Sequence, residues 1–135
     1  MIVVDTNIIV YLWLPCDSTQ MAEKLLNKDS NWVSSTLWKS EFRNVVSSFY
    51  RKKLITYERA LEVIFNAEEQ LVNSEYSVNS LKVMEKVKTS KCTAYDCEYV
   101  ALAEVLNCNL VTNDRKILKN FPSIATDLKC IVSIA

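Results

Sequence analysis

Four acidic residues, Asp5, Glu41, Asp96 and Asp114, are placed where a structural role accounts for each singly but not for all four together. Asp5 ends the short, mostly β-branched run Met1 to Val4, and Asp114 follows Leu110-Val111-Thr112, so both fall at the carboxyl end of a short buried strand. Capping of the helix that follows explains either one alone. Glu41 borders a buried arc: at 100° per residue, Trp38, Phe42, Val45 and Phe49 fall about 40° to 100° from it. Asp96 stands three residues after Thr93, as the acid of a capping box does, yet shares its helical face with Val100, Ala103 and Asn107. Unrelated caps would scatter. Instead two acids sit at strand ends and two on helix faces turned toward the core.

Carboxylates brought together repel one another, and each unpaired buried charge costs several kcal/mol, so such a cluster needs a counter-charge. The chain has no histidine, which removes His-based triads, His-ligated zinc and imidazole general bases. It has no glycine either, which removes the P-loop, the dinucleotide-binding turn and the nucleophile elbow. All-oxygen ligation suits Mg²⁺ or Mn²⁺, and the matching chemistry is phosphodiester hydrolysis by metal-activated water. Sixteen basic residues balance sixteen acidic ones; with the four clustered acids set aside, the remainder carries a modest positive surplus that would steer a polyanion. Lys39 and Arg43 beside Glu41, and Arg115 and Lys116 beside Asp114, are the candidate phosphate contacts.

These acids need elements to carry them. Helix signals begin at Asp17 or Ser18, at Ser34 or Ser35 (running to about Lys52), near Thr56, and again around Leu81, Met84 and Val87, whose spacing suggests an inner face. Thr93 to Leu106 reads as a strong helix ended by Asn107, the best substitute for a glycine C-cap. Met1 to Val4, Trp32-Val33, Leu110 to Thr112 and Cys130 to Ile134 read as strands. Short apolar strands alternating with helices indicate an α/β fold whose parallel sheet is covered on both faces, in one domain over residues 1–135. Ligands of such sheets bind beyond the carboxyl ends of the strands, where Asp5 and Asp114 project. Five cysteines, an odd number without a C-x-x-C, indicate reduced, mostly buried thiols. The opening run has neither a basic leader nor the length of a membrane anchor, so a cytoplasmic protein is expected.

Four stretches in this order resemble the PIN-domain ribonucleases, and more closely the small VapC-type toxins of toxin–antitoxin pairs. They are Met1 to Val10 with Asp5, Ser40 to Val45 with Glu41, Thr93 to Glu104 with Asp96, and Leu110 to Leu118 with Asp114. The resemblance implies a three-layer α/β/α fold, dependence on Mg²⁺ or Mn²⁺, and endonucleolytic cleavage of RNA leaving 3′-hydroxyl and 5′-phosphate ends. It makes Asp5, Glu41, Asp96 and Asp114 the catalytic and metal-site acids, with Thr6, Asn7 and Thr112 orienting them by hydrogen bonds. It also implies a homodimer and a cognate antitoxin. The helices from Ser35 to Lys52 and from Thr56 to Leu71, with Trp13, Trp38, Phe49 and Tyr50, are apolar enough to offer the antitoxin a groove, with core packing as the alternative use of these side chains. Asn113 stands where the family often has a small or apolar residue.

Two other readings compete. A haloacid-dehalogenase-like phosphatase also places an Asp after its first strand, but its general acid lies two residues on, where this chain has Asn7. A non-catalytic α/β interaction module would use the acids only as helix caps.

Overall fold

The computed structural model describes residues 1–134. In chain order the elements are β1 (Ile2–Val4), α1 (Thr6–Trp13), α2 (Thr19–Lys28), β2 (Trp32–Ser35), α3 (Trp38–Arg51), α4 (Tyr57–Leu71), β3 (Glu75–Tyr76), α5 (Ser80–Lys88), α6 (Ala94–Leu106), β4 (Leu110–Val111), α7 (Arg115–Asn120), β5 (Ala125–Thr126) and α8 (Leu128–Ser133). The five strands form one sheet in the order β3-β2-β1-β4-β5, and every pairing is parallel. β1, β2 and β4 are buried at every residue, so helices must cover both faces. α6 packs on β1, β2 and β4 with α5 against it, while α1 and α4 pack on β1 and β2 with α2, α3 and α8 joined to them. The α/β class and the parallel sheet follow the sequence reading.

Strand order sets the position of the site. From β1 the chain moves outward to β2 and β3, then returns to the other side of β1 with β4 and β5. That reversal opens a crevice between the carboxyl ends of β1 and β4. The register Val3↔Leu110 and Val4↔Val111 is carried one residue further by the bond from Asp5 N to Val111 O, 3.0 Å. Asp5 and Thr112 therefore leave the sheet side by side.

Caps explain most helix starts. Thr56, Asn79, Thr93 and Asp127 each accept, through the side chain, the backbone N–H three residues ahead. Without glycine, left-handed backbone falls to Lys53, Asn73 and Asn107, and Asn107 ends α6 at φ 53° as its residue type suggested.

Several expectations are corrected. Cys130 to Ile134 is not a strand: Asp127 caps α8 there, Lys28 donates to the carbonyls of Ile131 and Ile134, and the edge strand is the preceding Ala125–Thr126. Ser34 and Ser35 do not start α3, because both lie in β2; Ser34 Oγ donates to Val4 O at 2.7 Å, and Ser35 Oγ accepts from Leu37 N. Leu81 and Met84 are exposed, and α5 turns Val83 inward instead. Trp38 is fully buried against Phe42 and so lines no groove. All five cysteines are free, but only Cys92 and Cys97 are buried, with Cys16 and Cys130 exposed. Among the described residues, no helix is long and apolar enough to cross a membrane.

Candidate active site

Asp5 is both a cap and a site residue. Its Oδ1 accepts from Thr6 N at 2.7 Å and its Oδ2 accepts from Thr112 Oγ at 2.7 Å, which fixes the carboxylate between the ends of β1 and β4. Thr112 Oγ also accepts from Asp114 N at 3.0 Å and from Asn7 Nδ2 at 3.3 Å. Asn7 Oδ1 in turn accepts from Asn113 N at 3.4 Å, and Asn113 Oδ1 accepts from Leu128 N at 3.0 Å, tying the site loop to α8. Asn113 thus fills its position with a brace that an apolar residue could not supply. Asn7 is itself a bracing amide, so no carboxyl stands two residues beyond Asp5.

Glu41 reaches the same crevice from the first turn of α3. Its Oε1 accepts from Thr6 Oγ at 2.8 Å and from the Tyr99 phenol at 2.5 Å. Asp96 lies in the first turn of α6, whose backbone N–H is capped by Thr93 Oγ at 3.1 Å. Asp114 caps α7 by accepting from Ile117 N at 3.0 Å. The capping explanations hold for Asp5 and Asp114, and Asp96 pairs with Thr93 as the acid of a capping box does.

All four acids line one cavity of about 370 Å³, together with Thr6, Asn7, Val10, Tyr11, Asn44 and Val45. No lysine or arginine is among its lining residues. Burial, opposed by the bonds from Thr112 and Thr6 and reinforced by the charges of Glu41 and Asp96, pushes the Asp5 carboxyl up to about 6. Asp96 is also pushed above the usual carboxylate range, first by burial and then by the charge of Asp114. The crevice therefore holds negative potential that no side-chain cation compensates.

That potential tests the fit to a divalent cation. Among the described residues, no three acidic or thiol side chains stand close enough together to grip one ion as they lie. Mg²⁺ does not require such a cage, since it keeps several waters and takes one or two carboxylates plus substrate phosphate. An all-oxygen donor set at a pole of uncompensated charge fits it, and the absence of soft donors from the lining disfavours zinc.

The four proposed phosphate contacts lie outside the cavity lining. Lys39 is engaged by Glu68 and Glu75 at 3.9 and 3.8 Å. Arg43 and Lys116 are exposed, and Arg115 lines a separate cavity with Lys129 and Asp127. Sequence reasoning missed Tyr99, Tyr11 and Asn44. The signal for Tyr99 was its position one turn after Asp96, and for Asn44 its position one turn after Glu41.

The fold that carries this cavity, a five-stranded parallel sheet covered by helices, is the one the comparisons recognise. The chain belongs to the PIN domain family, whose model matches residues 2–122. Ribonuclease VapC3 of Pyrobaculum aerophilum is 27% identical over 128 residues, which is 93% of this chain and 98% of that protein. Among solved structures, PAE2754 from Pyrobaculum aerophilum superposes with a TM-score of 0.77 at 17% identity, covering 97% of this chain and 85% of that one. FitAcB from Neisseria gonorrhoeae superposes with a TM-score of 0.73 at 15% identity, covering 96% and 99%. At those identities the two superpositions speak to the fold.

Proposed function

We propose that this protein is a divalent-metal-dependent endoribonuclease and the toxin of a toxin–antitoxin pair. The observation that carries the reading is the cavity lined by Asp5, Glu41, Asp96 and Asp114 without a basic side chain, at the switch point of a PIN domain. A bound Mg²⁺ or Mn²⁺ would supply hydroxide from water at neutral pH and offset charge on the scissile phosphate. The protein's share is to bind and orient. Asp5, held by Thr6 N and Thr112, and Glu41, held by Thr6 and Tyr99, present carboxylates whose positions are set before any ligand arrives. Asp96 and Asp114 complete the negative rim. Similarity over nearly the full length of a protein named as a ribonuclease supports RNA as the substrate.

The test is cleavage of a single-stranded RNA by purified protein stripped of metal. Cleavage should return with Mg²⁺ or Mn²⁺, stop with a chelator, and be lost in Asp96→Asn. Metal-independent cleavage, or a wild-type rate in Asp96→Asn, sinks the reading.

The partner reading is a homodimer bound by an antitoxin segment along α3 and α4. With Trp38 in the core and Trp13 bonded to Gln70 of α4, the exposed apolar side chains along α3, α4 and the turn between them include Tyr50, Leu54, Tyr57 and Phe65, and Tyr50 and Leu54 line a cavity of about 620 Å³. A basic antitoxin side chain entering the acid cavity would compete with metal, so excess Mn²⁺ should weaken inhibition. Inhibition indifferent to Mn²⁺, or a monomer at every concentration, contradicts this partner model.

A further inference from the structure

Tyr99 extends from α6 one turn beyond Asp96 and is buried, 1% exposed, with its phenol among the site's oxygens rather than among apolar groups. The phenol oxygen lies 2.5 Å from Glu41 Oε1 and 2.8 Å from Thr6 Oγ, and Thr6 Oγ lies 2.8 Å from the same Glu41 oxygen. Three oxygens thus touch pairwise, with two hydroxyl protons between them. The carboxylate is the strongest acceptor of the three, so both protons point to it and Oε1 receives two donors. Among the described residues, Oε2 receives none. A glutamate on a helix has three rotatable side-chain bonds, and fixing it costs up to about 2 kcal/mol of rotamer freedom. Here it would also be driven outward by the charges of Asp5 and Asp96, which share its cavity.

We infer that Tyr99 is a positioning residue: it pins Glu41 through Oε1 and leaves Oε2 as the single oxygen this side chain presents to a divalent cation. A phenol that only needed a partner for its own buried hydroxyl could have used Thr6 alone. It also reaches Glu41 Oε1, the carboxylate that the site uses. The inference rests on Glu41 as a metal-site acid and not on RNA as the substrate.

A double-mutant cycle on the full chain tests it, with free Mn²⁺ followed by electron paramagnetic resonance. Tyr99→Phe should weaken Mn²⁺ binding about tenfold in the Glu41 protein and less than about twofold in the Glu41→Gln background, because Tyr99 acts through Glu41. In cleavage assays, kcat at limiting Mn²⁺ should fall while KM for an RNA oligonucleotide stays level. Excess Mn²⁺ should restore much of the rate. Glu41→Asp keeps the charge, leaves the core untouched and withdraws the carboxylate from the phenol by one methylene. It should lose Mn²⁺ affinity to the same degree as Tyr99→Phe, and it serves where Tyr99→Phe fails to fold. Wild-type Mn²⁺ affinity in Tyr99→Phe or in Glu41→Asp, or an equal Tyr99→Phe effect in both backgrounds, overturns the inference. Coupling in Mn²⁺ binding without RNA cleavage by the wild type would leave the inference standing and remove the ribonuclease reading. Absence of Mn²⁺ binding by the wild type removes both.

Discussion

The two halves of the acid cavity are held by different kinds of contact. Asp5 and Glu41 rest on hydrogen bonds that cross the fold: Thr112 is 107 residues from Asp5, and Tyr99 and Thr6 are 58 and 35 residues from Glu41. Asp96 and Asp114 belong to helix starts, where their order comes from groups within three residues: Thr93 Oγ caps the Asp96 N–H, and Asp114 accepts from Ile117 N. The first half exists only once β1, β4, α3 and α6 have assembled. The second is in place as soon as two short helix starts form. Preorganisation at the strand half stores the cost of a buried charge, since the Asp5 carboxyl is the deeply buried one. The helix half is less buried. Chemistry and stability should therefore be tightly opposed at Asp5 and separable at Asp114.

The largest effect is expected at the strand half. Asp5→Asn should lower RNA cleavage by more than about 100-fold and abolish Mn²⁺ protection against thermal unfolding, since the lost charge is a ligand charge. The metal-free variant should nonetheless melt higher than wild type at pH 7, because the cost of burying the Asp5 charge, and the smaller repulsion from Glu41 and Asp96, is gone. Activity assays paired with melting curves read both. A metal-free variant less stable than wild type would show that the bonds the carboxylate accepts from Thr6 and Thr112 outweigh the cost of burying its charge.

Next comes the hydroxyl that holds Asp5. Thr112→Val removes the donor to Asp5 Oδ2 and the acceptor for the Asp114 and Asn7 nitrogens while keeping side-chain shape. Metal affinity should fall roughly 10- to 100-fold, as for other residues that orient ligands, and Thr112→Ser should recover most of it. Calorimetric Mn²⁺ titration checks this. A silent Thr112→Val would show that the strand half is not preorganised through this bond.

How much of this was legible beforehand depended on how local each signal is. The four acids, the caps at Thr56 and Thr93 and the Asn107 stop could be read because each rests on residue type within a few positions. Helix α8 was misread because Cys130-Ile131-Val132 is β-branched in part, and the deciding residue, Asp127, is a cap outside that run. β3 and β5, two residues each, are too short for any periodicity and exist only because neighbouring strands offer them hydrogen bonds. Val83 rather than Leu81 faces inward on α5 because docking on α6 decides which stripe of an apolar helix is covered. In the site, Tyr99 was missed for the same reason. Its role lies in a bond to another helix.

A smaller effect follows from protonation. The Asp5 carboxyl is raised in the folded state to about 6 from an ordinary value of 3.8, so the native protein binds more protons than the unfolded chain between those two values. Stability of the chelated protein should therefore decline as pH rises from about 4 to 6 and stay at the lower level above, by on the order of 2 kcal/mol. Asp96, raised in the same direction, adds to the decline. Asp5→Asn should flatten most of it, and urea unfolding at stepped pH reads the slope. A chelated wild type that gains stability from pH 4 to 6 would show that Asp5 is not the buried, repelled carboxyl described here.

The smallest effect, and the sharpest for the comparison, is expected at Asp114. This side chain has two jobs that chemistry can separate: Oδ1 caps α7, and the charge joins the negative rim. Asp114→Asn keeps an oxygen able to accept from Ile117 N but removes the charge, so activity should fall while the melting temperature stays within about a degree of wild type. Asp114→Ala removes both, so it should lose the same activity and in addition about 1 kcal/mol, the usual cost of a missing N-cap, which is a few degrees in a protein of this size. Melting of the two variants with chelator present isolates the cap from any metal effect. Because α7 is only six residues long and buries just Ile117, its unfolding is expected to appear as a lower midpoint and not as a separate transition. Equal melting temperatures for the two variants would mean that the bond to Ile117 contributes nothing, and the helix half would then be held by packing instead of by its caps.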